Sequence, residues 1–274
     1  MPIGAKPPIN CCPPTSTKIL DFKLPSSKLP LRIRPAAHLV DDAYIAKYSK
    51  AVELMKALPE DDPRSFMQQA KYRNKNHQPP TLVDLHYNGN ENCTSDQDQQ
   101  SSNLSIMYRQ MVSNGKTAKL FLGSSYRAGD EPDPGIGSIE NIPHNTVHVW
   151  TGDNTQPNFE DMGDFYSAAR DPIFFSHHSN IDRMWTIWKT LGGKRTEFTD
   201  PDWLDATFLF YDENANLVRV KVRDCIDHKK MRYAYQEVDI PWLKSKPTPR
   251  TLIKKVAKGF HHHGQKLKHL KHKI

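Results

Sequence analysis

Two histidine clusters in this 274-residue chain have the residue types and spacing to hold a metal ion. The first is His144 and His148, within PHNTVHVW. On a helix, a four-residue spacing puts both imidazoles on one face, one turn apart, so two nitrogens can chelate one ion. Taken alone, the same spacing also describes two surface histidines on an amphipathic helix. The second cluster is His177 and His178, followed by Asp182 and Trp185, within HHSNIDRMW. Helical periodicity places His178 on the face of Trp185 and turns His177 roughly 100° away. Asp182, one turn after His178, is placed to orient a ligand imidazole. Three neutral imidazoles suit copper, zinc or iron by ligand type.

The elements that must position these residues are mostly helices. The strongest helical pattern covers 172–191, opened by Pro172 and closed by Gly192 and Gly193. One face carries Phe175, His178, Ile181, Asp182, Trp185 and Trp188, and a face this aromatic is expected to be buried. Tyr44, Ile45, Tyr48, Val52 and Met55 recur at helical spacing after a capping Asp41 or Asp42, and Pro59 ends that helix. A short helix over 63–71 follows. Residues 72–103 are polar, and helical period resumes with Leu104, Met107, Tyr108, Met111 and Val112. A Gly/Pro/acid-rich loop covers 123–139. After residue 200 the period becomes two: Phe208 and Phe210, a turn, then Val218, Val220 and Val222 form a hairpin, with a further strand over 233–238. Residues 1–37 read as an extended, Pro-rich arm.

Charged residues make up 25% of the chain and mean hydropathy is −0.71, polar for a compact enzyme. The polarity points to a missing piece of core or to a diluting disordered segment. The net charge of +7 is concentrated at one end. Residues 244–274 hold ten Lys/Arg and no acid, so the remainder carries −3. That tail reads as a solvated, disordered end, with contact to anionic surfaces as the alternative. No apolar run is long enough to span a bilayer, and residues 1–8 show no transit pattern. Adjacent Cys11 and Cys12 are disfavoured as partners of one another by disulfide geometry, and four cysteines in a chain of this length set no redox compartment.

PHNTVHVW and DMGDFYSAARDPIFFSHHSNIDRMWTIWKTLGG together resemble the second copper motif of plant polyphenol oxidases. The flanks NCCPP, RPAAH, KAVELMKALPEDDPRSFMQQA, IMYRQMV, YRAGDEPDPG and GSIE resemble that family too, as does DPDWLDATFLFYDENANLVRVKVRDC, which is similar to its small following domain. The resemblance implies a mainly α fold: an incomplete tyrosinase-type helical bundle with a small β-rich C-terminal module. The implied segments are 1–71 (arm and first helices), 72–195 (second copper-binding half), 196–245 (β-rich module) and 246–274 (basic tail). It also implies copper held by His144, His148 and His178. Glu140 matches an acid that holds a water, Asn145 a position linked to phenol deprotonation, and Phe165 an aromatic gate. The implied reaction is oxidation of o-diphenols to o-quinones with dioxygen, in a plastid, at the thylakoid lumen. A small phenol and dioxygen are the expected partners, with no specific nucleic-acid partner.

The family uses a second set of three histidines for its first copper. Here FMQQAK runs directly into YRNKNHQPPTLVDL, so the first copper region is expected to be deleted near residues 71–73. His38, His77, His86 and His228 lack aromatic helical context and are poor substitutes. The resemblance also gives Cys11 and Cys12 a disulfide role whose partners are missing, leaving free thiols or mispairing with Cys93. The expected outcome is a chain with little or no oxidase turnover. The alternatives are a non-catalytic, single-metal product of the same kind of gene and a mononuclear three-histidine site doing zinc-type hydrolysis, for which no general base is placed.

Overall fold

The computed structural model describes residues 18–59, 81–86, 93, 95–125, 135–212 and 216–248. The expected helix over 63–71, the junction at 71–73, His77, Cys11 and Cys12 and the tail beyond 248 lie outside them. The fold is mainly α, with a small β-rich part. The chain divides into two compact units. One takes Glu197–Val238 with the described part of Met1–Asp41, and the other takes Asp42–Thr196 with the described part of Asp239–Ile274. Residues 18–41 thus group with the β-rich segment.

In the β-rich unit, β1 (Ile19–Asp21), β2 (Arg32–Arg34), β3 (Thr207–Tyr211), β4 (Leu217–Lys221) and β5 (Tyr233–Tyr235) form two sheets. The expected hairpin is β3–β4, with Phe208 opposite Val220 and Phe210 opposite Val218. Val222 leaves the strand to start a short helix, Val222–Cys225. β1 adds to β4 in parallel and β2 pairs with β5 in parallel. The arm is thus recruited as strands; three-residue strands carry too little alternation to be read locally. Arg34 stacks 3.9 Å over the Tyr233 ring and donates to the Tyr235 hydroxyl at 2.9 Å, which fastens the β2–β5 pair.

The helical unit contains α1 (Asp42–Lys56), α2 (Asp96–Tyr108), α3 (Ala118–Leu122), α4 (Thr146–Thr151) and α5 (Ile173–Thr190). α2 starts earlier than hydrophobic period indicates. Ser95 caps it by accepting from the Asp98 amide at 3.2 Å, and Asp96 and Asp98 complement the helix dipole in the first turn. α2 then widens into a π-helical turn, Arg109–Asn114. The start of α5 is fixed by Asp171, a buried carboxylate that accepts from the Ile173 amide at 2.9 Å, and its end by Gly192 and Gly193, both at positive φ.

The core of this unit gathers Ile106, Met107, Met111, Phe121, Ile139, Met162, Met184, Trp188 and Trp242. Trp188 is fully buried, stacks on Phe121 at 4.6 Å and donates its indole N–H to the Gly115 carbonyl at 2.5 Å. The buried line of α5 is His177, Met184 and Trp188. This corrects the sequence expectation: Phe175 is 60% exposed, and His178, Ile181, Asp182 and Trp185 are half-buried. The neighbours that cover α5 (Phe121, Gly115 and the turn carrying His144) meet it along that line, and aromatic content alone does not select a face. α1 has no buried residue.

Candidate metal centre

His144 does not sit on a regular helix. It lies in a π-helical turn, Glu140–Asn145, broken at Ile142, which has φ −138° and ψ 124°. Buried Pro143 follows that break, and the chain enters α4 directly at Thr146. The turn is held from below. Ser138 donates through its hydroxyl to the Gln110 carbonyl at 2.9 Å, and Asn141 through its amide to the Gly137 carbonyl at 3.0 Å. Gly137 is required there, because a Cβ would stand 2.3 Å from the Phe121 carbonyl oxygen and 2.4 Å from the Gly123 nitrogen. His148 follows on α4, so the expected one-turn spacing survives although the first member is carried by a wider turn. His177 and His178 come from the first half of α5.

Four imidazoles meet. The His144 ring centroid lies 4.6 Å from that of His148, 5.4 Å from that of His177 and 5.0 Å from that of His178. Donor nitrogens of His144, His148 and His177 fall within 4.8 Å of one another. His144 Nε2 and His178 Nε2 are 3.0 Å apart. The sequence reading thus brought together three of these histidines and turned the fourth, His177, away. His177 is instead 8% exposed and is part of the cluster. The adjacency of two histidines was the available signal; on a helix entered by two other segments, neighbouring positions can both face inward.

Hydrogen bonds distinguish the four rings. His144 Nδ1 lies 2.8 Å from Asn145 Oδ1, His148 Nδ1 2.6 Å from the Met162 carbonyl and His178 Nδ1 2.9 Å from the Phe174 carbonyl. An oxygen acceptor at Nδ1 fixes the tautomer with the proton there and leaves Nε2 with a free lone pair. His177 is arranged the other way: its Nε2 faces the His144 carbonyl at 3.2 Å, so that nitrogen carries the proton. The anchor of His178 Nδ1 is the carbonyl of Phe174, one turn earlier on α5. The Met162 anchor comes from a tight loop in which buried Asp153 accepts from the Thr155 amide and hydroxyl at 2.9 and 2.7 Å.

Burial favours the neutral form of three of the rings. Burial lowers the pKa of His148 from 6.5 to about 4 and that of His177 to about 3, with like-charge repulsion from neighbouring imidazoles as a further cause. Burial also lowers the pKa of His178. Phe174 closes one side, 3.8 Å from the His178 ring and 6.0 Å from the His148 ring. Neutral nitrogen donors with fixed tautomers fit a borderline-soft ion such as copper or zinc. The N–N separation of 3.0 Å between His144 and His178 is near that expected for two imidazoles sharing an ion at about 2.0–2.1 Å, roughly 3–3.5 Å. Of the other expected site residues, Glu140 is exposed at the start of the turn and Asn145 is engaged with His144. Phe165 is 94% exposed.

Comparison with known proteins gives this geometry a family. The chain matches the model for the common central domain of tyrosinase over residues 42–191 and that for the polyphenol oxidase middle domain over residues 197–248. A chloroplastic polyphenol oxidase of Malus domestica is 54% identical, over 94% of this chain and 57% of its own length. Aureusidin synthase of Antirrhinum majus is 48% identical, over 90% of this chain and 60% of its own length. The chain therefore spans under two thirds of the length of these relatives. The Malus alignment runs over 342 positions, more than the 274 residues of this chain, so that relative has internal stretches without a counterpart here. Among structures, latent apple tyrosinase is 54% identical with a TM-score of 0.77, covering 85% of this chain and 68% of its own. The polyphenol oxidase of Vitis vinifera is 46% identical with a TM-score of 0.77, covering 88% and 95%. With its central domain matched over more than half its length, the chain belongs to the tyrosinase family, alongside the plant polyphenol oxidases.

Proposed function

We propose that this chain binds a single copper ion through Nε2 of His144, His148 and His178, as one half of a phenol-oxidising centre. The observation that carries the reading is the shared arrangement of these three rings. Each has its Nδ1 against an oxygen acceptor, and two of the Nε2 atoms already lie at coordination-sphere distance. Copper bound there would supply one-electron redox chemistry, and the family reaction is oxidation of o-diphenols to o-quinones with dioxygen. The residues contribute positioning. Asn145 holds His144 through Oδ1, which leaves its amide N–H groups for a water or a substrate hydroxyl. Glu140, at the solvent edge of the same turn, is suited to accept a proton through a water. Phe174 packs against the rings of His148 and His178, and exposed Phe165 would serve as an aromatic contact for a phenol, as the family resemblance implies.

Reduction of dioxygen by two electrons needs two such ions, and the described residues gather one histidine cluster. The reading is therefore that the chain alone turns catechols over slowly or not at all. The length of the Malus alignment relative to this chain supports an internal deletion. The relatives named chloroplastic support a plastid location, and the thylakoid lumen is the finer proposal from the family resemblance. Copper content and oxygen uptake with a simple catechol, measured on copper-reconstituted protein, test this. A single copper without uptake is expected. Two coppers with turnover would overturn the half-site reading, and absence of stoichiometric copper would overturn the ligand set.

A further inference from the structure

We infer that His177 is a positioning residue for the metal centre: it ties the backbone of one ligand to the helix that carries another, and is not itself a ligand. The inference rests on the ligand set proposed above.

Its hydrogen bond points to the positioning role. His177 Nε2 faces the His144 carbonyl oxygen at 3.2 Å. A carbonyl accepts only, so Nε2 of His177 is the protonated nitrogen, engaged with the backbone, and the ring's lone pair lies on Nδ1. The three proposed ligands present the opposite tautomer, with Nδ1 against an acceptor and Nε2 free. Proximity groups His177 with His144 and His148; its hydrogen bond differs from theirs in engaging Nε2, the atom the other two leave free.

The place of this bond in the fold explains what it does. His144 sits in an irregular turn, with Ile142 outside helical geometry two residues earlier, so its Cα is not fixed by a regular helical ladder. His178, on regular helix α5, is fixed. His177 is next to His178 in sequence and reaches the peptide of His144, thirty-three residues away. It also stacks on the His144 ring, with centroids 5.4 Å apart and planes 21° from parallel. The bond and the stack together register the turn against α5 and set the separation of the two Nε2 atoms, 3.0 Å in this structure. His177 is 8% exposed, so water does not readily replace its N–H. Removing a hydrogen-bond partner that orients a ligand commonly costs about 10–100-fold in metal affinity.

The test compares His177→Phe, His177→Gln and His178→Ala in the full chain, by copper competition titration, pulsed EPR of the Cu(II) form and thermal unfolding of the metal-free form. Phe keeps the ring and removes the N–H; Gln places an amide N–H near the position of Nε2. His177→Phe should weaken copper binding about 10-fold or more while the saturated EPR signature still counts three imidazoles. His177→Gln should recover most of that affinity. His178→Ala should lose one imidazole from the signature. Should His177→Phe bind as tightly as the parent, or His177→Gln be as weak as His177→Phe, the positioning role falls. Loss of an imidazole in both His177 variants, with three retained in His178→Ala, would make His177 the ligand and overturn the inference. Failure of the ligand reading itself looks different: copper binding would then survive His144→Ala and His148→Ala, whatever His177 does. If His177→Phe does not fold, His177→Gln against the parent decides, since a weakened site with two imidazoles would mark His177 as a ligand and a near-parental site with three would uphold its N–H role.

Discussion

The metal-free protein should lose stability as pH falls from 7 towards 4, and the histidine cluster should cause it. His148 and His177 have folded pKa values of about 4 and about 3, against 6.5 for the free side chain. Their pKa values are depressed on folding, so below pH 6.5 the unfolded chain binds more protons than the folded one, and stability declines as pH drops. The stabilisation is complete above pH 6.5 and is lost on the way to the folded values. At pH 4 the unfolded chain has its imidazoles charged, while His177 remains neutral in the folded protein. The shift then counts for about 2.5 pH units, or about 3 kcal/mol as a ceiling at about 1.4 kcal/mol per unit. Half-exposed His148 is screened by solvent and adds about 1 kcal/mol. A total of about 3–4 kcal/mol is a large part of the roughly 5–15 kcal/mol that stabilises a domain. Urea unfolding of the metal-free protein at pH 7, 5.5 and 4.5 reads the slope. His177→Gln, which has no titrating ring, should unfold with a clearly shallower pH dependence. Equal slopes for parent and variant over that range would refute the argument that burial of neutral imidazole sets acid sensitivity.

Three further outcomes follow from single contacts. His148→Ala should abolish stoichiometric copper binding, as measured by equilibrium dialysis; unchanged binding would refute its place in the site. Trp188→Ala removes a fully buried indole stacked on Phe121 and should cost about 3–5 kcal/mol, read as a lower urea midpoint; a loss below about 1 kcal/mol would contradict the packing described. Asp171→Ala deprives the first turn of α5 of its acceptor at the Ile173 amide. That should lower stability by about 1 kcal/mol, and a thermal midpoint equal to the parent's would show that the carboxylate is dispensable as a cap.

Much of the site could be read from local pattern. The spacing of His144 and His148 and the length of α5 follow from periodicity and from Pro and Gly punctuation. His177 shows where local reading stops. A helical wheel gives it a direction about 100° from His178, but which directions are interior depends on what else packs against α5. The turn at 140–145 and the Phe121–Gly115 side approach along the His177–Met184–Trp188 line. Phe175 faces solvent for the same reason, though its chemistry favours burial. The strand pairings of 19–21 and 32–34 were equally hidden, because each relies on a partner about two hundred residues away.

By itself the sequence determined which atoms are available: three imidazoles that suit copper, a capped helix to carry one of them, and a β-hairpin downstream. These are consequences of side-chain chemistry and of backbone preferences acting over a few residues. Only the tertiary structure decided which nitrogen of His148 and of His177 is free. That choice depends on the carbonyl oxygens of Met162 and His144, groups which every sequence possesses at every position and which acquire meaning only when the chain folds them against a particular ring.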